Sequence, residues 1–140
     1  NTMTTSFTGG CLCGLVRYQI NGNPIRFYHC HCSRCRKVSG TGNASNLMVE
    51  LENYQWTKGE HLIKFFKVPE AERFTNYFCS ECGSPLPKIR PNMGIAVIPA
   101  GTLDSAPAMK PQAHIFWTSR IEWSCESGDL PVFEEYQSDS

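Results

Sequence analysis

No stretch of this chain approaches the roughly 20 consecutive apolar residues that a membrane-spanning helix needs. The residues before Phe7 are Asn-Thr-Met-Thr-Thr-Ser, with no apolar run. These two lacks argue against a membrane span and against a signal peptide in this sequence, so the expectation is a cytoplasmic protein with no membrane contact. Excess charge of either sign is missing too. Lysine plus arginine and aspartate plus glutamate each number 13, which leaves no basic footprint for nucleic acid. Internal repeats, low-complexity linkers and long 3.6-residue apolar periods are also wanting. What is left is a pattern of many short strand-like segments, which predicts one β-rich domain over 7–135. Residues 1–6 read as a disordered or expression-derived extension, with Met3 a candidate native start, and 136–140 as a polar tail.

Cysteine, by contrast, is plentiful and clustered. Of eight cysteines, seven fall into three groups: Cys11 with Cys13, the run Cys30-His31-Cys32-Ser33-Arg34-Cys35, and Cys79 with Cys82. A 140-residue chain can bury enough surface to fold without disulfides, and clustered thiols in a reducing compartment read as metal ligands. Zinc takes about four ligands in a tetrahedron, and a site with three protein ligands leaves a position for water or substrate. Seven thiols divide into a closed set of four and an open set of three.

Along the chain, Gly9-Gly10-Cys11-Leu12-Cys13-Gly14 reads as a tight glycine turn around a Cys-X-Cys pair. Alternation and β-branched or aromatic content predict strands at 15–20, 25–28, 44–49, 54–56, 62–68, 74–78, 95–98 and 114–117. One or two helical turns fit 36–43 before the glycines end them. On an extended backbone Cys30 and Cys32 share a face and His31 points away, and a tight turn then brings Cys35 round. Cys79-Ser80-Glu81-Cys82-Gly83 has the form of a zinc knuckle, its glycine permitting the left-handed turn that aims amide N–H groups at thiolates. The tail from Ser124 is polar, with Pro131 and Phe133 as the residues able to dock back.

The order of these elements resembles the glutathione-dependent formaldehyde-activating enzyme and centromere protein V family. The matching stretches are Gly9 to Tyr18, Cys30 to Gly40, Phe78 to Leu86, Gly101 to Asp104, and the late Trp123. The resemblance implies a mainly β fold of twisted antiparallel sheets, a β-tent stapled by zinc. It implies two zinc ions per chain, one structural on Cys11, Cys13, Cys79 and Cys82, the other on Cys30, Cys32 and Cys35, where catalysis is expected. The implied reaction makes or breaks the carbon–sulfur bond of S-hydroxymethylglutathione, so the partners are a thiol such as glutathione and an aldehyde.

Other residues are read more plainly. Arg34, Arg36 and Lys37 flank the three-cysteine run and are candidates to steer an anionic thiol, although a solvated face is the commoner role for such a trio. His31 is expected in a hydrogen-bonded structural role, His29, His61 and His114 as surface or satisfied histidines, and Cys125 as a small buried apolar residue. Trp56, Trp117 and Trp123 are expected in the core or a pocket wall. The competing functional reading is a non-catalytic, zinc-stabilised interaction module. Redox chemistry ranks last, because only Cys125 is left over from the clusters. The oligomeric state is open.

Overall fold

The computed structural model describes residues 6–72, 74–124 and 128–137. The chain is mainly β, with eleven strands and one α-helix among these residues. Strand β1 (Ser6–Gly10) pairs with β2 (Arg17–Asn21), which pairs with β5 (Tyr54–Lys58), in a three-stranded antiparallel sheet. The central sheet has five strands in the order β11 (Ala113–Ile115), β3 (Arg26–Cys30), β4 (Ala44–Glu50), β10 (Ile95–Pro99) and β9 (Lys88–Arg90). A third sheet joins β6 (Ile63–Lys67), β7 (Thr75–Cys79) and β8 (Pro85–Leu86). No described helix is long and apolar enough to cross a membrane.

Period-2 alternation builds the core. In β2 Tyr18 and Ile20 are buried while Arg17 and Gln19 are not, and β4 turns Leu47 and Val49 to the same interior. With Phe27, Ala96 and Ile98 they fill the space between the first sheet and the central one. Each fully buried aliphatic side chain here contributes roughly 1.5–3 kcal/mol over an exposed one. A smaller cluster of Cys11, Val16, Cys79 and Leu86 joins the first sheet to the third.

Several expectations need correction. The central sheet is mixed, because β11 runs parallel to β3 with His114 opposite His29 and Ile115 opposite Cys30. Gly9 and Gly10 lie in a strand, and only Gly14 of that stretch takes a left-handed φ, 80°. The glycine at position 9 is required by close approach: a Cβ there would stand 2.3 Å from the Tyr18 hydroxyl oxygen. Helix α1 (Ser33–Ser39) starts three residues before the expected 36–43 because Cys32 caps it, its Sγ accepting from the Cys35 amide, and Gly40 ends it. Pro131 and Phe133 are exposed, and so is Trp123 at 67%. Cys125 lies outside the described residues. Of the ends set apart at 1–6 and 136–140, only Ser6, Tyr136 and Gln137 are described, and Ser6 already opens β1.

The Gly101 to Asp104 stretch acts as a clasp on the first sheet. Arg17 and Thr8 both hydrogen-bond the Asp104 carboxylate, the threonine at 2.6 Å, and the Asp104 amide donates to the Thr8 carbonyl. The Thr102 hydroxyl meets the buried Tyr18 hydroxyl at 2.7 Å.

Candidate metal centres and the cavity beside one of them

The fold gathers the seven clustered cysteines into two groups, and all seven are free thiols. Cys11 and Cys13 lie on the β1–β2 connection, and Cys79 and Cys82 on the β7–β8 connection. Their four sulfurs all lie within 4.8 Å of one another, with Cys11 to Cys13 at 3.5 Å and Cys13 to Cys79 at 3.9 Å. Thiolates about 2.3 Å from a tetrahedral zinc stand about 3.8 Å apart, so the set fits that ion. Local turns aim amides at the sulfurs: Val16 N–H reaches Cys11 Sγ at 3.3 Å and Glu81 N–H reaches Cys79 Sγ at 3.4 Å. Gly83, at φ 77°, lets its amide bond the Cys79 carbonyl at 2.8 Å and closes the knuckle. Hydrogen bonding with the Ser84 side chain and backbone holds the Cys82 thiol down at about 6.

Cys30, Cys32 and Cys35 form the second group, their sulfurs also within 4.8 Å of one another. Cys30 ends β3, Cys32 caps α1, and the first helical turn delivers Cys35. The hydrogen bond with Cys35 draws the Cys30 thiol down to about 6 against the opposing effect of burial. The same bond, with burial, pushes Cys35 well up. Hydrogen bonding within the group thus favours the thiolate at Cys30 and opposes it at Cys35, and a cation would bind the set by displacing its protons. Among the described residues no fourth histidine, cysteine or carboxylate joins these three.

The outer face of the central sheet forms the floor of a cavity of about 490 Å³ beside this group. Alternation decides which residues reach it. Leu47 and Val49 face the core, so Asn46 and Met48 face the cavity; Ala96 and Ile98 face the core, so Ile95 and Val97 face the cavity. Phe116 lines the cavity as well, in a left-handed conformation with φ 55° and ψ 42°. A bulky side chain in that region is an outlier among L-residues. The parallel pairing of β11 brings this segment in, and the His31 amide ties to the Ile115 carbonyl at 2.9 Å.

Of the flanking cations, Arg34 lines the cavity, whereas Arg36 donates to the Ser119 carbonyl at 3.1 Å and Lys37 lines an adjoining cavity with Phe66. His31 is buried, its Nε2 2.8 Å from His114 Nδ1 and its ring edge-on to Trp117. Burial, with His114 next, holds His31 below the ordinary histidine value. His29 bonds Ser45 at 2.9 Å and His61 is exposed. Trp56 packs edge-on against Tyr18 and Tyr54 in the core. Sequence reasoning passed over Lys88 altogether, yet it is buried and lines the cavity. Its signal was its place in Leu86-Pro87-Lys88, a run buried throughout.

Residues 6–119 match the sequence model of the glutathione-dependent formaldehyde-activating enzyme family. The chain belongs to this family. A crystal structure of a Rhodobacter sphaeroides protein is similar in fold, with a TM-score of 0.57 over 76% of this chain and 98% of that one, at 18% sequence identity. The formaldehyde-activating family match embraces both cysteine groups, the clasp at Gly101 to Asp104, and every residue named on the cavity floor.

Proposed function

We propose that this protein is a zinc-dependent carbon–sulfur lyase handling a thiol–aldehyde adduct of the S-hydroxymethylglutathione kind at Cys30, Cys32 and Cys35. Cys11, Cys13, Cys79 and Cys82 hold a second, structural zinc in this reading. The observation that carries it is the three-thiol group at the wall of a 490 Å³ cavity, in a chain of the formaldehyde-activating family. Zinc bound by three thiolates supplies a Lewis-acid position for a substrate sulfur or carbonyl oxygen. The chain's own residues do the rest. Met48, Ile95, Val97 and Phe116 provide apolar walls that limit water, and Arg34 offers a cation at the cavity edge. The reaction is redox-neutral: in adduct formation the sulfur–carbon bond forms, the carbonyl π bond opens, and the thiol proton ends on the new hydroxyl. Free thiols throughout the described residues suit a cytoplasmic setting.

The test is ¹³C exchange NMR of formaldehyde and glutathione with zinc-loaded protein. Accelerated interconversion between aldehyde and adduct is expected, lost in Cys35→Ser. A protein that neither binds glutathione nor speeds the adduct with any small aldehyde ends this reading. An interaction module would then take its place, favoured by Phe65 and Phe66, which are 65% and 58% exposed on edge strand β6.

A further inference from the structure

The chain is neutral only as a whole. From Glu126 onward it carries five acidic residues, Glu126, Asp129, Glu134, Glu135 and Asp139, and no lysine or arginine, whereas the sequence before it has 13 basic residues against eight acidic ones. An acidic tail thus follows a basic body, a segregation that points to an electrostatic contact between such parts. The tail is apolar as well. Leu130, Val132, Phe133 and Tyr136 fall among its carboxylates. Every residue from Gly128 to Gln137 is exposed, Val132 at 93% and Tyr136 at 92%. One exposed apolar side chain is ordinary, but four within seven residues form a surface that gains by leaving water.

Helix α1 and the third sheet offer a matching groove. In the β6–β7 pairing Phe66 stands opposite Asn76, and just beyond it the Val68 amide donates to the Phe74 carbonyl at 3.0 Å. Phe66, Val68 and Phe74 therefore share one face of the sheet. On α1, Arg34, Lys37 and Val38 share a face because they are three and four residues apart. These six residues line a groove of about 390 Å³. Among the described residues no aspartate or glutamate lines it, and neither Arg34 nor Lys37 makes an ion pair. Lys64 adds a further exposed cation on β6, which is an edge strand.

We propose that this groove holds the acidic tail of a second copy of the chain, in a reciprocal two-fold dimer. Glu134 and Glu135 of each tail meet Arg34 and Lys37 of the other copy, and Val132, Phe133 and Tyr136 cover the apolar floor of Phe66, Val68 and Phe74. A second copy is favoured over the chain's own tail, because within the single chain the described tail is exposed throughout. Two-fold symmetry engages both tail and groove pairs at once, so that two modest contacts act together. The dimer goes beyond the lyase reading and does not depend on it.

The experiment is analytical ultracentrifugation of the zinc-loaded full chain, with reductant, over rising concentration and at low and high salt. Native protein is compared with Lys37→Glu and with the double variant Glu134→Lys/Glu135→Lys. A reversible monomer–dimer equilibrium is expected, weakened by salt and by about tenfold or more in either variant. Mixing the two variants should regain association in part, since the native tail of one meets the native groove of the other. A synthetic peptide of residues 128–140 should dissociate the native dimer, and the same peptide with lysine at both glutamate positions should not. A chain that stays monomeric up to its solubility limit overturns the proposal; if that monomer binds the acidic peptide, the groove serves a different acidic partner. A dimer that neither variant nor the peptide shifts by more than twofold overturns it as well. Both variants alter exposed side chains, and if either loses zinc or its native circular dichroism, the peptide competition on native protein decides. Dimer without adduct exchange ends the lyase reading alone, and exchange by a strict monomer ends this proposal alone.

Discussion

The two thiol groups differ in a way that runs against intuition about reactive sites. The four-cysteine group is the more superficial, with Cys13 exposed and Cys82 half-buried, whereas Cys30 and Cys35 of the three-cysteine group are buried. Yet the superficial group has four thiols, whereas among the described residues no fourth ligand joins the deeper one. Their backbones differ as well. Beside the four-cysteine group the left-handed positions belong to glycines, Gly14 and Gly83, and beside the three-cysteine group the left-handed position is Phe116. The difference teaches that, on the proposed reading, open coordination and backbone strain rather than exposure are what set the reacting site apart from the structural one.

The sharpest way to break this contrast is Cys79→Ser. Cys79 is fully buried and joins two sheets through the four-thiol group. Structural zinc contributes about 10–16 kcal/mol of apparent binding energy, which rivals the whole stability of a domain. The variant is expected to lose one zinc and its cooperative thermal transition by circular dichroism. A melting temperature within a few degrees of native would remove the structural role.

Cys35→Ser is expected to act on chemistry instead. Elemental analysis should find about two zinc ions falling to about one, cooperative unfolding retained, and adduct exchange reduced at least about 100-fold, more than outer-shell changes usually cost. If this variant unfolds as Cys79→Ser does, both groups are structural and the contrast fails.

Phe116→Gly sharpens the strain argument. Relief of a left-handed phenylalanine gives about 1–3 kcal/mol, offset by the roughly 0.5–1 kcal/mol that glycine loses on ordering. At 62% exposure Phe116 forfeits little burial. Denaturant unfolding should show a gain of about 1 kcal/mol, while exchange activity falls as the cavity loses a wall. A loss of stability beyond that size would show that packing outweighs strain there.

The smallest effect is expected at Asp104, outside both groups. The hydrogen bond from Arg17, and then that from Thr8, holds its carboxyl below the ordinary value. A depressed folded-state value means that the clasp stabilises at pH above the unfolded carboxylate pKa and stops doing so as pH falls through the folded one. The pair is partly exposed, so Asp104→Asn should cost less than about 1 kcal/mol at pH 7. That cost should begin to shrink as pH falls below about 4 and vanish only once pH has passed below the depressed folded-state value. An undiminished difference there would mean that the side chain acts by shape rather than charge.

Much of this arrangement was legible in sequence for identifiable reasons. Val16, Tyr18, Ile20, Leu47 and Val49 announce their strands through alternation, and the cysteine spacings foreshadow the two groups that the fold assembles. Strand β1 was hidden because Gly9 and Gly10 carry no strand propensity; Gly9 owes its place to the Tyr18 ring, and Gly10 to the Val16 carbonyl and the Arg17 side chain. Strands β8 and β9 were hidden by Pro85, Pro87 and Pro91, which read as turn residues. The parallel docking of β11, and with it the contacts of His31 with His114 and Trp117, rests on pairing between residues more than 80 positions apart. No local pattern encodes that. Lys88 was passed over because a lysine is assigned to solvent by default, and only the burial of its neighbours marks it as an exception.

Cys32 carries a consequence for dynamics. One sulfur both belongs to the three-thiol group and caps α1, and the helix is seven residues long, far shorter than an isolated helix that persists in water. Its persistence is therefore borrowed from the group at its N-terminus. Amide hydrogen exchange across residues 33–39 becomes a gauge of ligation: the segment opens at low free energy when the thiols are released and closes when they are held, with the rest of the sheet as the unchanging reference.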